Sequence, residues 1–208
     1  MLSRRQWTTM ALTVPFAMGS VWASDEAPDA LIKRISNEVM TTVSNDVAIQ
    51  QGNVQRVMDL VNTRVMPHVN FQRMTASAVG RHWRNATPEQ QQRLQAEFKT
   101  LLVRTYAGAL GELKGKTFHF RPLRAQATDT EVVVRSEVRG RGEPIQLDYR
   151  LEKTPGEGAG WKIFDLNVLG IWLVENYRSQ FSKEINAGGV DGLIKSLSER
   201  NKSNAKKA

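Results

Sequence analysis

Residues 145–168 read "IQLDYRLEKTPGEGAGWKIFDLNV", and the order of polar and apolar residues in this stretch decides the fold. Ile145, Leu147, Tyr149 and Leu151 alternate with Gln146, Asp148 and Arg150, the period of a strand with one apolar face. The turn residues "TPGEGAG" interrupt the run, and "WKIFDLNV" resumes it as a second strand. Upstream, Val132, Val134 and Val138 oppose Val133, Arg135 and Glu137, with "GRGEP" separating this run from the next, and Phe118 and Phe120 alternate with polar neighbours. The pattern predicts four antiparallel strands, the later three in a meander, with one apolar face that must be covered. The phase of the last strand is ambiguous, because Trp161, Ile163 and Asp165 share a face opposite Phe164, Leu166 and Val168. A register slip of one residue exchanges the two faces.

The cover comes from helices on both sides of the sheet in sequence. Leu31, Ile35, Val39 and Val43 recur every four residues after Pro28, which suits a first helical turn. Asn53 can cap a second helix carrying Val54, Val57, Val61 and Val65, which Pro67 should end. A short helix through "NFQRMTASAV" should stop at Gly80. "TPEQ" at 87–90 has the form of a capping box with Pro in the first helical position, and the helix it opens should run to about Gly111 with Leu94, Phe98, Leu101, Leu102 and Tyr106 on one face. After the strands, Ile171, Val174, Tyr177 and Phe181 return to helical spacing as far as Gly188 and Gly189, and Asp191 can cap a last helix with Leu193, Ile194 and Leu197. The fold class expected is α+β, helices packed on the concave face of a curved four-stranded antiparallel sheet.

The N-terminus predicts export. Arg4 and Arg5 precede an apolar run from Met10 to Met18 and the small-residue end Val21-Trp22-Ala23, the layout of a cleavable signal over residues 1–23, and the run is too short to span a bilayer. "SRRQW" also partly matches a twin-arginine signal, so the export route stays open. Residues 24–200 then read as a single domain. The formal charge of +8 falls to +6 without Arg4 and Arg5. From Lys195 onward five basic residues face only Glu199, and residues 201–208 read as a basic, solvated tail. The chain has no cysteine, which excludes disulfides, thiolate catalysis and zinc–thiolate or iron–sulfur sites.

Chemistry is sparse. "RHWRNATPEQ", residues 81–90, sets an aromatic among basic residues, yet it falls at a helix junction where Trp83 serves as an apolar anchor, and the remaining charge forms no stripe that would track a phosphate backbone. Nucleic acid is therefore not an expected partner. His68, His82 and His119 stand apart without metal-ligand spacing, and no GxSxG occurs. Asp165 is expected to face solvent. Gly156, Gly158 and Gly160 lie in a hairpin turn and open no helix, so they make no phosphate cradle. No active site assembles, and no enzymatic activity is expected. Two readings remain: a binding module for an apolar ligand, and an interaction domain of the cell envelope whose core is filled.

Three segments carry a resemblance. "VMPHVNFQRMTASAVGRHWRNATPEQQQRLQAEFKTLLVRTYAGAL", "QLDYRLEKTPGEGAGWKIFDLNVLGIWLVENYRSQF" and "GGVDGLIKSL" closely resemble the MlaC family, periplasmic phospholipid-binding proteins of the Mla outer-membrane lipid-asymmetry system, also known as toluene-tolerance proteins. The resemblance covers almost all of the chain after the signal. It implies an NTF2- or cystatin-like fold enclosing a deep apolar cavity for the acyl chains of a glycerophospholipid, which is cargo and not a cofactor. It also implies two partners, an outer-membrane lipoprotein complex and an inner-membrane ABC transporter with a lipid-binding ring, and no catalysis. The pocket walls are then expected at Leu102, Tyr106, Val132, Val134, Val138, Leu147, Tyr149, Leu151, Ile163, Ile171 and Val174. Arg135, Arg139, Arg141 and Arg150 are candidates to meet headgroups or acidic partners at the mouth.

Overall fold

The computed structural model describes residues 26–205, so the signal segment and the last three residues lie outside the described residues. Helix α1 (Pro28–Asn45) starts on Pro28 as expected, and α2 (Val47–Gln50) follows one residue later, capped by Asp46. Asn53 caps α3 (Val54–Leu60), its side chain accepting from the Arg56 amide. The helix ends in a π-helical turn at Val61–Val65 and a 3-10 turn at Met66–His68. Asn70 caps α4 (Phe71–Val79), which stops at Gly80 where φ is +68°. Both hydrogen bonds of the capping box between Thr87 and Gln90 are present at the start of α5 (Pro88–Gly111). Trp83 lies half-buried in the 3-10 turn between α4 and α5, packed against the helices.

The sheet is a meander of five antiparallel strands: β1 (Thr117–Phe120), β2 (Glu131–Arg139), β3 (Ile145–Lys153), β4 (Trp161–Val168) and β5 (Ile171–Trp172). The fifth strand corrects the expected four and removes Ile171 from the helix. Leu169 and Gly170 both have positive φ, +54° and +86°, so the chain reverses in two residues and Ile171–Trp172 pairs back onto β4. The phase ambiguity on β4 is resolved by a bulge: Leu151 pairs with Ile163 while Arg150 pairs with Asp165, leaving Phe164 unpaired. Phe164 and Asp165 thus both lie on the outer side, where the Arg73 guanidinium stacks on the Phe164 ring at 3.6 Å. Ile163 and Leu166 both face inward.

Asp165 is not solvent-facing as expected; it is 1% exposed. Its carboxylate accepts from Arg150 Nη1 at 2.9 Å and from the backbone amides of Leu166 (2.8 Å) and Val174 (3.0 Å), so a β4 side chain caps the start of α6 (Leu173–Ala205). Burial pushes its carboxyl above the ordinary range, and the amides and Arg150 act against that. Arg150 also stacks on Trp172 at 3.8 Å. Helix α6 bends at Gly188 and Gly189 and continues to Ala205, through the segment expected to be solvated chain from residue 201. Asn201 is the reason. It is 5% exposed and donates to the Glu97 carbonyl at 2.9 Å, while Arg104 donates to the Asn201 carbonyl, so the end of α6 is fastened to α5.

Two apolar clusters form the interior. One joins α1, α2 and α3 to the inward side of β2, β3 and β4 and includes Leu31, Val43, Val57, Val134 and Leu151. The other joins α4, α5 and α6 around Phe98, whose ring meets Tyr177 at 4.9 Å and Phe181 at 5.1 Å edge-on. Replacing Asp165 by Ala removes the partner of Arg150 and uncovers the Val174 amide, and chemical denaturation should show a loss of about 3 kcal/mol. Leu169→Asn places a residue tolerant of positive φ in the two-residue turn. Its thermal midpoint should rise by about 2–4 °C, since the left-handed conformation costs a leucine roughly 1 kcal/mol.

Candidate functional site

The two clusters do not close on each other. Between them lies a cavity of about 240 Å³ whose wall presents only apolar atoms. Val103, Tyr149 and Ile163 on its lining belong to the first cluster, Met74 and Leu173 to the second, and Val69 and Leu166 pack against both. Helix α5 acts as the wedge. Its Val103 is buried in the first cluster, while the adjacent Leu102, and Tyr106 one turn on, pack against the second.

The wall opposite α5 is the irregular segment after α3. Val61 and Val65 line the cavity from the two ends of the π-helical turn, and Met66 follows them. The sequence explains the irregularity: Val61, Thr63 and Val65 are β-branched, the Thr63 hydroxyl donates to the Asp59 carbonyl at 2.7 Å, and Pro67 cannot extend a helix. Such single π turns recur at functional sites, where they set side chains out of helical phase. The next residues are fixed to the sheet. Val69 bridges to Ile163, and the Asn70 amide donates to the Ile163 carbonyl at 2.8 Å.

Of the residues expected on the pocket wall, Leu102, Tyr106, Tyr149 and Ile163 line the cavity. Val132, Val134, Val138 and Leu151 lie instead in the first cluster, with Leu147 half-buried beside them. They face the correct side of the sheet, but α1 and its neighbours cover them. Val174 lies in the second cluster, and its place on the lining is taken by Leu173. Ile171, on β5, is 56% exposed and away from the cavity, because the turn at Leu169–Gly170 directs it outward. The lining residues that pattern reading missed lie in the irregular segment, at the bulge, on α4, on α5 at Lys99 and Val103, and at Leu173. Leu110 was legible, since it follows Tyr106 at the helical interval of four.

Polar groups are few. Tyr149 turns its ring to the cavity and its hydroxyl to Ser36 and Ser136, and burial pushes the phenol up to about 12. Lys99 is the charged residue on the lining, and its Nζ donates to Asn62 Oδ1 at 3.0 Å. None of the arginines expected at the mouth lines the cavity: Arg150 binds Asp165, Arg139 binds Glu137, and Arg135 lies on the outer face of the sheet. Among the described residues no three His, Asp or Glu side chains group as a metal site, and no helix is long and apolar enough to cross a membrane.

Comparison with known proteins gives a consistent set. A family model, that of the MlaC protein, matches residues 33–199. The toluene tolerance protein ttg2D of Pseudomonas putida is 26% identical over 167 residues, 80% of this chain and 76% of its own. The intermembrane phospholipid transport system binding protein MlaC of Haemophilus influenzae is 18% identical over 203 residues, 96% of this chain and 94% of its own. Among solved structures, the phospholipid-binding protein of Ralstonia solanacearum in complex with a phospholipid superposes with a TM-score of 0.81 at 47% identity, covering 85% of this chain and 98% of that one.

An apolar cavity of this size should take up a xenon atom. Under xenon pressure the methyl NMR signals of Val65, Leu102, Val103 and Leu166 in delipidated protein should shift, and Leu102→Trp, which fills the space, should abolish the shifts.

Proposed function

This chain belongs to the MlaC family, and from that premise we propose that it is a carrier that encloses the acyl chains of a glycerophospholipid and moves the lipid across the aqueous space between two membranes. The observation that carries the reading is the apolar cavity at the seam between the clusters. Each methylene withdrawn from water is worth about 0.8 kcal/mol, so two sixteen-carbon chains would cost on the order of 25 kcal/mol to carry exposed. A shallow groove could not offset that. A cleft between the two clusters that takes up most of both chains can.

The phospholipid complex of the Ralstonia protein supports a phospholipid as the cargo. In the fuller reading the protein is periplasmic, exported by the segment at residues 1–23. It receives or delivers lipid at an outer-membrane lipoprotein complex and at an inner-membrane ABC transporter with a lipid-binding ring, and so maintains outer-membrane asymmetry. No bond is made or broken. Its work is burial and release.

At about 240 Å³ the cavity is smaller than the roughly 300–1,000 Å³ of sites that enclose drug-sized ligands, and a diacyl lipid is larger still. Loading therefore widens the seam. The wall that yields is the π-helical turn with Met66, which departs from α-helical hydrogen bonding and carries an adaptable thioether side chain, whereas aromatic rings pack behind α5.

Native mass spectrometry of the mature protein purified without detergent should find bound diacyl phospholipid, recovered by solvent extraction. Leu166→Asp and Leu102→Trp should fold yet carry at least about tenfold less lipid, the charge being too costly to bury beside the chains. A folded wild-type protein that yields no lipid and takes none from vesicles would refute the carrier and favour an interaction domain with a filled core.

A further inference from the structure

We infer that Lys99 is the phosphate-binding group of the site, and that its hydrogen bond to Asn62 is a latch exchanged for the lipid phosphate when the cavity is loaded. The inference rests on the carrier reading and names the headgroup chemistry of the same cavity. Lys99 lies on α5, one turn before Leu102 and Val103, and its stem forms part of the cavity wall. Its ammonium reaches Asn62, within the π-helical turn, at 3.0 Å. That hydrogen bond joins the wedge helix to the irregular wall opposite, across the seam that must widen.

Arg34, Arg56, Arg73, Arg150 and Arg200 face carboxylates, whereas Lys99, like Lys114 against Gln50, meets a neutral amide oxygen; of these two lysines it is Lys99 that lines the cavity, and among the described residues no carboxylate lies within 4.0 Å of it. A lysine ammonium whose stem lies along apolar surface keeps its charge at the water boundary. It is therefore a charge without a counter-ion at the edge of an apolar cavity. A phosphodiester whose acyl chains occupy that cavity supplies the counter-ion, and the ammonium's hydrogen bond to an anionic phosphate oxygen is stronger than the one to the neutral amide oxygen of Asn62 that it replaces. The exchange frees Asn62 and the turn that carries it, so loading and widening proceed together.

The test offers delipidated protein an equimolar mixture of phosphatidylethanolamine and the diacylglycerol with identical acyl chains, and counts the bound species by native mass spectrometry. Wild-type protein should prefer the phospholipid, Lys99→Arg should keep the preference, and Lys99→Gln and Lys99→Met should lower it about tenfold, the worth of one charge-assisted hydrogen bond. Asn62→Ala should speed loading and leave the preference unchanged. In unmodified protein, acetylation of Lys99 mapped by peptide mass spectrometry should be slowed by bound phospholipid and not by bound diacylglycerol. Unchanged preference in both neutral variants, or acetylation indifferent to the phosphate, overturns the inference while leaving the carrier standing. Wild-type protein that binds neither lipid overturns both.

Discussion

Helix α5 packs into two apolar clusters at once, and the cavity exists because it does. Val103 is committed to the sheet and the N-terminal helices, while Phe98, Leu101 and Tyr106 are committed to α4 and α6. A helix held on both sides cannot collapse inward to remove the gap between them. The gap leaves apolar side chains of both clusters without packing partners. A protein that only needed a stable core would have filled it with a few methyl groups. In the proposed carrier, acyl chains restore the missing contacts.

The two walls differ in regularity. Behind α5 stand the edge-on rings of Phe98, Tyr177 and Phe181, with Asn201 and Arg104 fastening the end of α6 to the same helix. On the sheet side, Asp165 joins β3, β4 and the start of α6 through Arg150 and two backbone amides. The remaining wall is a π-helical turn containing β-branched Val61, Thr63 and Val65, followed by a 3-10 turn, with backbone bonds to the sheet following at Val69 and Asn70. Regular elements thus position most of the lining, and the irregular one is the wall that the proposed carrier opens.

Much of this was legible in the residues. The capping box at Thr87 and Gln90, the caps at Asn53 and Gly80 and the alternation of β2 and β3 all arise from local rules, and they give an α+β chain with the correct inward faces. What escaped was set by tertiary geometry. The bulge at Phe164 puts Ile163 and Leu166 on the same side, which strict alternation forbids. The turn at Leu169–Gly170 uses a leucine where an asparagine or glycine would have signalled it, and so Ile171 was read as helix. Asp165 satisfies its charge with partners distant in sequence. Inward-facing residues such as Val132 and Val134 could not be told from cavity residues without knowing where α1 lies, and the three segments that resemble the MlaC family supplied the expectation of a cavity that periodicity alone left open.

The central claim is that the seam between α5 and the irregular segment opens to admit acyl chains. The chain has no native cysteine, so single cysteines at Arg64 and Ala96, both exposed, can carry spin labels at unique positions on the two walls. Pulsed electron–electron resonance then measures the distance across the seam in delipidated and phospholipid-loaded protein. The account predicts that the distribution shifts to longer distances on loading and returns when lipid is extracted. The same distribution in both states, with lipid bound at full occupancy, would contradict it.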